Sequence, residues 1–103
     1  MKANINEIRG ITDSIRKDTR DLAGKITMAI AIEEEFIDAA KAVLSRFASV
    51  DKADVTCRKA VYELTGSTEN WFELQLMLSE HEKKLRKLRE LMSFVGGWEV
   101  NFK

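Results

Sequence analysis

The side chains able to do chemistry are few, and they are scattered along the chain. His81 is the only histidine and Cys57 the only cysteine among 103 residues. Nucleophilic catalysis needs a thiol or hydroxyl held beside a base. Cys57 has cations as neighbours, Arg58 and Lys59, which favour a thiolate. The histidine that would serve it belongs to a different helix. A lone cysteine on a helix reads first as a small core residue.

His81 invites a metal or a switch. Helical-bundle metal sites place a carboxylate three residues before the histidine. Leu78 stands there instead. An oligomer would gather several copies of His81 about an axis. A small-ligand or metal site at such an interface is therefore one hypothesis. The plainer reading is a polar seam residue that fixes register or oligomer state.

Glu33, Glu34, Glu35 and Asp38 form an acidic cluster. Paired carboxylates do acid–base work when their surroundings split their affinities for protons. No nucleophile, second histidine or glycine-rich loop accompanies these four. They read as a solvated face, suited to the electrostatic half of a partner interface. Glu33 alone falls near an apolar seam.

Lys83, Lys84, Arg86, Lys87 and Arg89 form a dense basic run. Such a helix can lie on phosphates. Here the cations surround the helix everywhere but its apolar seam, and no aromatic is interleaved to stack on bases. The same helix opens with Glu69, Glu73, Glu80 and Glu82, so its acid-to-base order also suits the helix dipole. The sequence thus offers no catalytic residue, no metal site and no cofactor site.

The elements that must position these residues are helices. Apolar residues make up 45% of the chain and charged residues 33%, enough for one core in one domain. Proline is absent, which suits long helices. Lysine plus arginine balance aspartate plus glutamate at 17 each, which excludes a wholesale polyanion binder. One cysteine excludes an internal disulfide and fits a reducing compartment. The polar start from Met1 to Asn6 lacks a signal-peptide core, and the apolar stretch Ile26–Ile32 is too short to span a membrane. These features predict a cytoplasmic protein.

A first helix is expected over about 4–50. Asn4 and Glu7 form a capping box at its start. Every seventh residue from Ile8 is apolar: Ile8, Ile15, Leu22, Ala29, Phe36, Val43 and Val50. Such a stripe packs lengthwise on another helix. Gly24 is the point at which the helix would bend, since Asp18, Thr19 and Lys25 weaken the seam there. A straight helix of that length would measure roughly 70 Å, so it bends or reaches a partner. A short helix over 52–65 follows, with Asp51 as its cap and Gly66 as its left-handed stop.

The third helix, over 68–95, has the clearest pattern. Ser67 or Thr68 caps it. Trp71, Leu74, Leu78, His81, Leu85, Leu88, Met92 and Val95 alternate spacings of three and four. Gly96-Gly97 should stop it, leaving an extended tail over 96–103. The expected fold is all-α. It is an antiparallel bundle of two long heptad-patterned helices and one short helix in a single domain of residues 1–103.

What remains is surface. Ile26, Met28, Ile30 and Ile32 point around the first helix, and a helix apolar on all sides must be surrounded. With Phe36 and the tail residues Trp98, Val100 and Phe102 they form a candidate protein interface, although the tail equally suits docking back on its own bundle, since Gly96-Gly97 permits a reversal. The leading expectation is a non-enzymatic interaction module, a homodimer or higher oligomer that binds and modulates another protein. An adaptor, a chaperone or an inhibitor fits, including an accessory protein of a phage or mobile element. A nucleic-acid-binding regulator using residues 83–89 is the alternative.

Overall fold

The computed structural model describes residues 4–101, with the side chains of residues 4–96. The described residues form three α-helices and no strand: α1 (Ile5–Arg46), α2 (Val55–Thr65) and α3 (Trp71–Asn101). The all-α expectation holds.

The capping box at the start of α1 is formed. The Glu7 amide donates to Asn4 Oδ1 at 2.8 Å, and the Asn4 amide donates to Glu7 Oε2 at 3.3 Å. Two first-turn donors are thereby satisfied. The helix runs through Gly24 without a break. It ends at Arg46, four residues before the expected limit, where Ala48 and Val50 donate back to Ser45 and Phe47 in tighter turns.

Lys52 closes that end. Its ammonium donates to the carbonyls of Phe47, Ala48 (2.8 Å) and Val50 (2.7 Å). It also lies 4.3 Å from the centre of the Trp71 ring. One cation thus ties together the carbonyls of the turn that follows α1 and attracts the first residue of α3.

The cap of α2 is Asp54 rather than Asp51, its carboxylate accepting from the Thr56 amide at 2.8 Å. Asp51 instead accepts from Ala53 in a local turn. Gly66 ends α2 at φ 70°, and its amide donates to the Tyr62 carbonyl at 2.7 Å. Asn70 caps α3, accepting from Phe72 and Glu73, so the expected caps Ser67 and Thr68 lie in the connecting turn. The other end of α3 corrects the sequence reading. Gly96 and Gly97 do not stop the helix, which continues to Asn101, so residues 96–101 are not an extended tail. Glycine costs a helix interior only about 1 kcal/mol, and among the described glycines only Gly66 turns left-handed.

The chain divides into two compact units. The first comprises residues 31–86. Its core is Ala40, Phe47, Cys57, Val61, Trp71 and Leu74, flanked by Phe36, Val43, Leu44, Ala60, Leu64 and Leu78. Cys57, Val61 and Leu74 are fully buried, each apolar side chain contributing about 1.5–3 kcal/mol for a residue of leucine or valine size. In this unit α3 returns along α1. Glu33 and Phe36 meet His81, whereas Phe47 shares its core with Trp71 and Leu74. The second unit joins the described parts of 1–30 and 87–103. Thr19, Ile26 and Val95 are its buried residues among those described.

Candidate interaction surface

The α3 seam is turned inward along its whole length. Trp71, Leu74, Leu85 and Val95 are buried, and Leu78, His81, Leu88 and Met92 are half-buried. The basic run is consequently turned out, with Lys83, Lys84, Arg86, Lys87 and Arg89 all exposed.

On α1 the inward line differs from the one the apolar repeat implies. Thr19, Ile26, Ala40 and Phe47 are buried, and Thr12 and Glu33 are half-buried. These residues form the sevenfold series four positions after Ile8. Of the expected series, Ala29, Phe36 and Val43 are half-buried, whereas Ile8, Ile15, Leu22 and Val50 are exposed. Both series lie on adjoining stripes of one helix. Threonine tolerates the inward stripe because its hydroxyl bonds within the helix. Thr12 donates to the Ile8 carbonyl at 2.9 Å and Thr19 to the Ile15 carbonyl at 2.8 Å.

The result is an exposed apolar ridge on the first five turns of α1. Ile5 is 68% exposed, Ile8 52%, Ile11 59%, Ile15 38% and Leu22 43%. Single exposed apolar residues are ordinary, but an aligned series marks a contact surface. Ile5 escaped the sequence reading because it lies outside the series counted from Ile8.

The interface residues chosen from sequence are divided by the fold. Ile26 is buried, Ile30 and Phe36 are half-buried, and Met28 and Ile32 are exposed. The backbone of Trp98 and Val100 is helical. Their side chains, and Phe102 entirely, lie outside the described residues.

His81 and Glu33 meet across α1 and α3. The Nδ1 of His81 donates to the Glu33 carboxylate, and the imidazole lies 4.2 Å from the Phe36 ring centre, tilted by 37°. Both partners are half-buried. The polar seam residue thus finds a polar partner on the facing seam, which avoids an unsatisfied group. Glu35 and Asp38 are exposed, and Glu34 is half-buried. Cys57 is enclosed in the core, where a thiol packs as a small apolar group.

Two open depressions lie in the 31–86 unit. One, of about 390 Å³, is lined by Lys52, Ala53, Arg58, Glu69, Asn70, Trp71 and Phe72. The other, of about 370 Å³, lies between Ala42, Val43, Arg46 and Phe47 of α1 or its end and Ala60, Glu63 and Leu64 of α2. Neither contains a histidine or cysteine. In the first, Arg58 pairs loosely with Glu69 at 3.7 Å, both exposed, a contact worth little in water. Among the described residues no cluster of three or more histidine, cysteine, aspartate or glutamate side chains could hold a metal ion. No described helix is long and apolar enough to cross a membrane. Comparison of the chain with protein-family models, curated proteins and solved structures found no match.

Proposed function

We propose that this chain is a small, non-enzymatic helical interaction module of the cytoplasm. It forms an antiparallel helical bundle, associates as a homo-oligomer, and binds and modulates another protein as adaptor, chaperone or inhibitor. The ridge Ile5, Ile8, Ile11, Ile15 and Leu22 carries the reading. A soluble helix keeps such a stripe when something outside the chain covers it. The test is affinity capture with the tagged chain and with its Ile8→Glu, Ile15→Glu variant, with and without nuclease. A protein held in near-equal amount by the parent and lost by the variant, regardless of nuclease, is the expected result. Equal recovery by both proteins would overturn the role of the ridge.

A second reading is a nucleic-acid-binding regulator, and the exposure of all five cations from Lys83 to Arg89 favours it. Phosphate binding of this kind strengthens at low salt. Retention of DNA or RNA at low salt, abolished by Lys84→Glu with Lys87→Glu, would establish it.

A further inference from the structure

The two units are held by unequal means. In the 31–86 unit, Ala40, Phe47, Cys57, Val61, Trp71 and Leu74 share one core drawn from all three helices and the turn after α1. The stretch of α1 that enters this unit also suits a helix by composition. Residues 31–46 include four alanines, three glutamates and no glycine.

The first half of α1 has neither support. Across residues 5–30 only Thr19 and Ile26 are buried. The Thr19 hydroxyl donates to the Ile15 carbonyl of its own helix, so that bond ties nothing to a neighbouring element. Thr12, Arg16, Ala23, Ala29 and Ile30 are half-buried, and the others are exposed. Six isoleucines, three threonines and two glycines lie among residues 5–30. The first two types lose rotamer freedom in a helix and glycine loses chain entropy, so all three lower its intrinsic stability. Helices in water depend on packing of an apolar face more than on propensity. Here the isoleucine face is open. The Asn4–Glu7 box fixes the first turn only.

From this imbalance we propose that residues 5–30 open as a local unit, their helix melting and re-forming while 31–86 stays folded. The device deepens the interaction-module reading and takes its functional meaning from it. Proteins open in cooperative segments, and binding elements are drawn from the least stable of these. A protein captured by the ridge then orders the segment as it binds. Part of the contact energy goes into that ordering, which lowers affinity and keeps the capture reversible. Gly10 and Gly24 set the level. Each has open space where a Cβ would stand, so no close contact requires glycine there. They loosen the helix with no gain in packing.

The test is hydrogen exchange of the full chain over seconds to hours, read on peptides by mass spectrometry. Relative to their intrinsic rates, the amides of 9–24 should exchange at least ~100-fold faster than those of 57–63 and 74–80. Gly10→Ala with Gly24→Ala should slow exchange across 9–24 about 10-fold and leave the other two stretches unchanged. Val95 is buried in the same unit as residues 5–30. Val95→Ala should therefore speed exchange in 9–24 and not in 57–63 or 74–80. Equal protection of the three stretches overturns the proposal. So does a glycine variant that slows all three together, because the opening is then global. Capture is read separately. Ridge-dependent capture with uniform protection keeps the module and removes the local opening. Fast exchange in 9–24 with nothing captured keeps the opening and removes the module.

Discussion

At the scale of single residues, five side chains hold the ends and seams of helices together. Leu74 is fully buried and Leu85 is 8% exposed. Truncation of either to alanine removes packing and leaves a cavity. Each should cost about 2–5 kcal/mol in denaturant unfolding. A loss below about 1 kcal/mol at Leu85 would mean that the α3 seam is not packed there. His81 and Glu33 form a coupled pair. Removing either partner strands the other in a half-buried place, whereas removing both does not. The double variant Glu33→Leu, His81→Leu should therefore unfold later than the sum of its singles implies. A coupling of about 0.5–3 kcal/mol is expected in the cycle. A coupling near zero would reduce the contact to a neighbourly one. Lys52→Met keeps the stem but removes the bonds to three carbonyls and the charge over Trp71. A loss of about 1–3 kcal/mol is expected, read by thermal or chemical unfolding.

At the scale of elements, glycines separate local requirement from tolerance. Gly66 sits at φ 70°, where an added Cβ is strained. Gly66→Ala should destabilise the chain by about 1 kcal/mol. Gly24 lies within α1 with helical backbone and open space around its missing Cβ. Gly24→Ala should stabilise by about 0.5–1 kcal/mol. A destabilising Gly24→Ala would reveal a bend or a contact at that point. The elements themselves were largely legible. The Asn4–Glu7 box, the Gly66 stop and the α3 seam are local signals, and all are formed. Helix limits were less legible. The pattern from Ser67 to Asn70 offers several acceptors in a row, and only the chain's path makes Asn70 the cap. Gly96-Gly97 resembles a stop, yet a helix already nucleated by its seam passes through glycine at modest cost.

At the scale of the whole molecule, the ridge makes a prediction about stability as well as association. If folding and pairing are linked, the unfolding midpoint of the parent chain rises with protein concentration. That dependence should vanish in Ile15→Glu, measured between about 1 and 100 µM. A midpoint independent of concentration in both would separate folding from any self-association. The sequence by itself determined the helical class, the number of helices, and which face of α3 is buried. Those follow from periodicity and from hydrogen bonds that close within a few residues. It also placed Glu33 near one seam and His81 on another, without showing that they meet. The tertiary structure alone decided that contact, the triple engagement of Lys52, and the inward stripe of α1. In the first half of α1, two stripes four residues apart compete. One is rich in isoleucine, and the other contains threonines whose hydroxyls are satisfied by their own helix. Local energetics allow either to face inward. The choice belongs to whatever packs against α1, and it leaves the isoleucine stripe exposed.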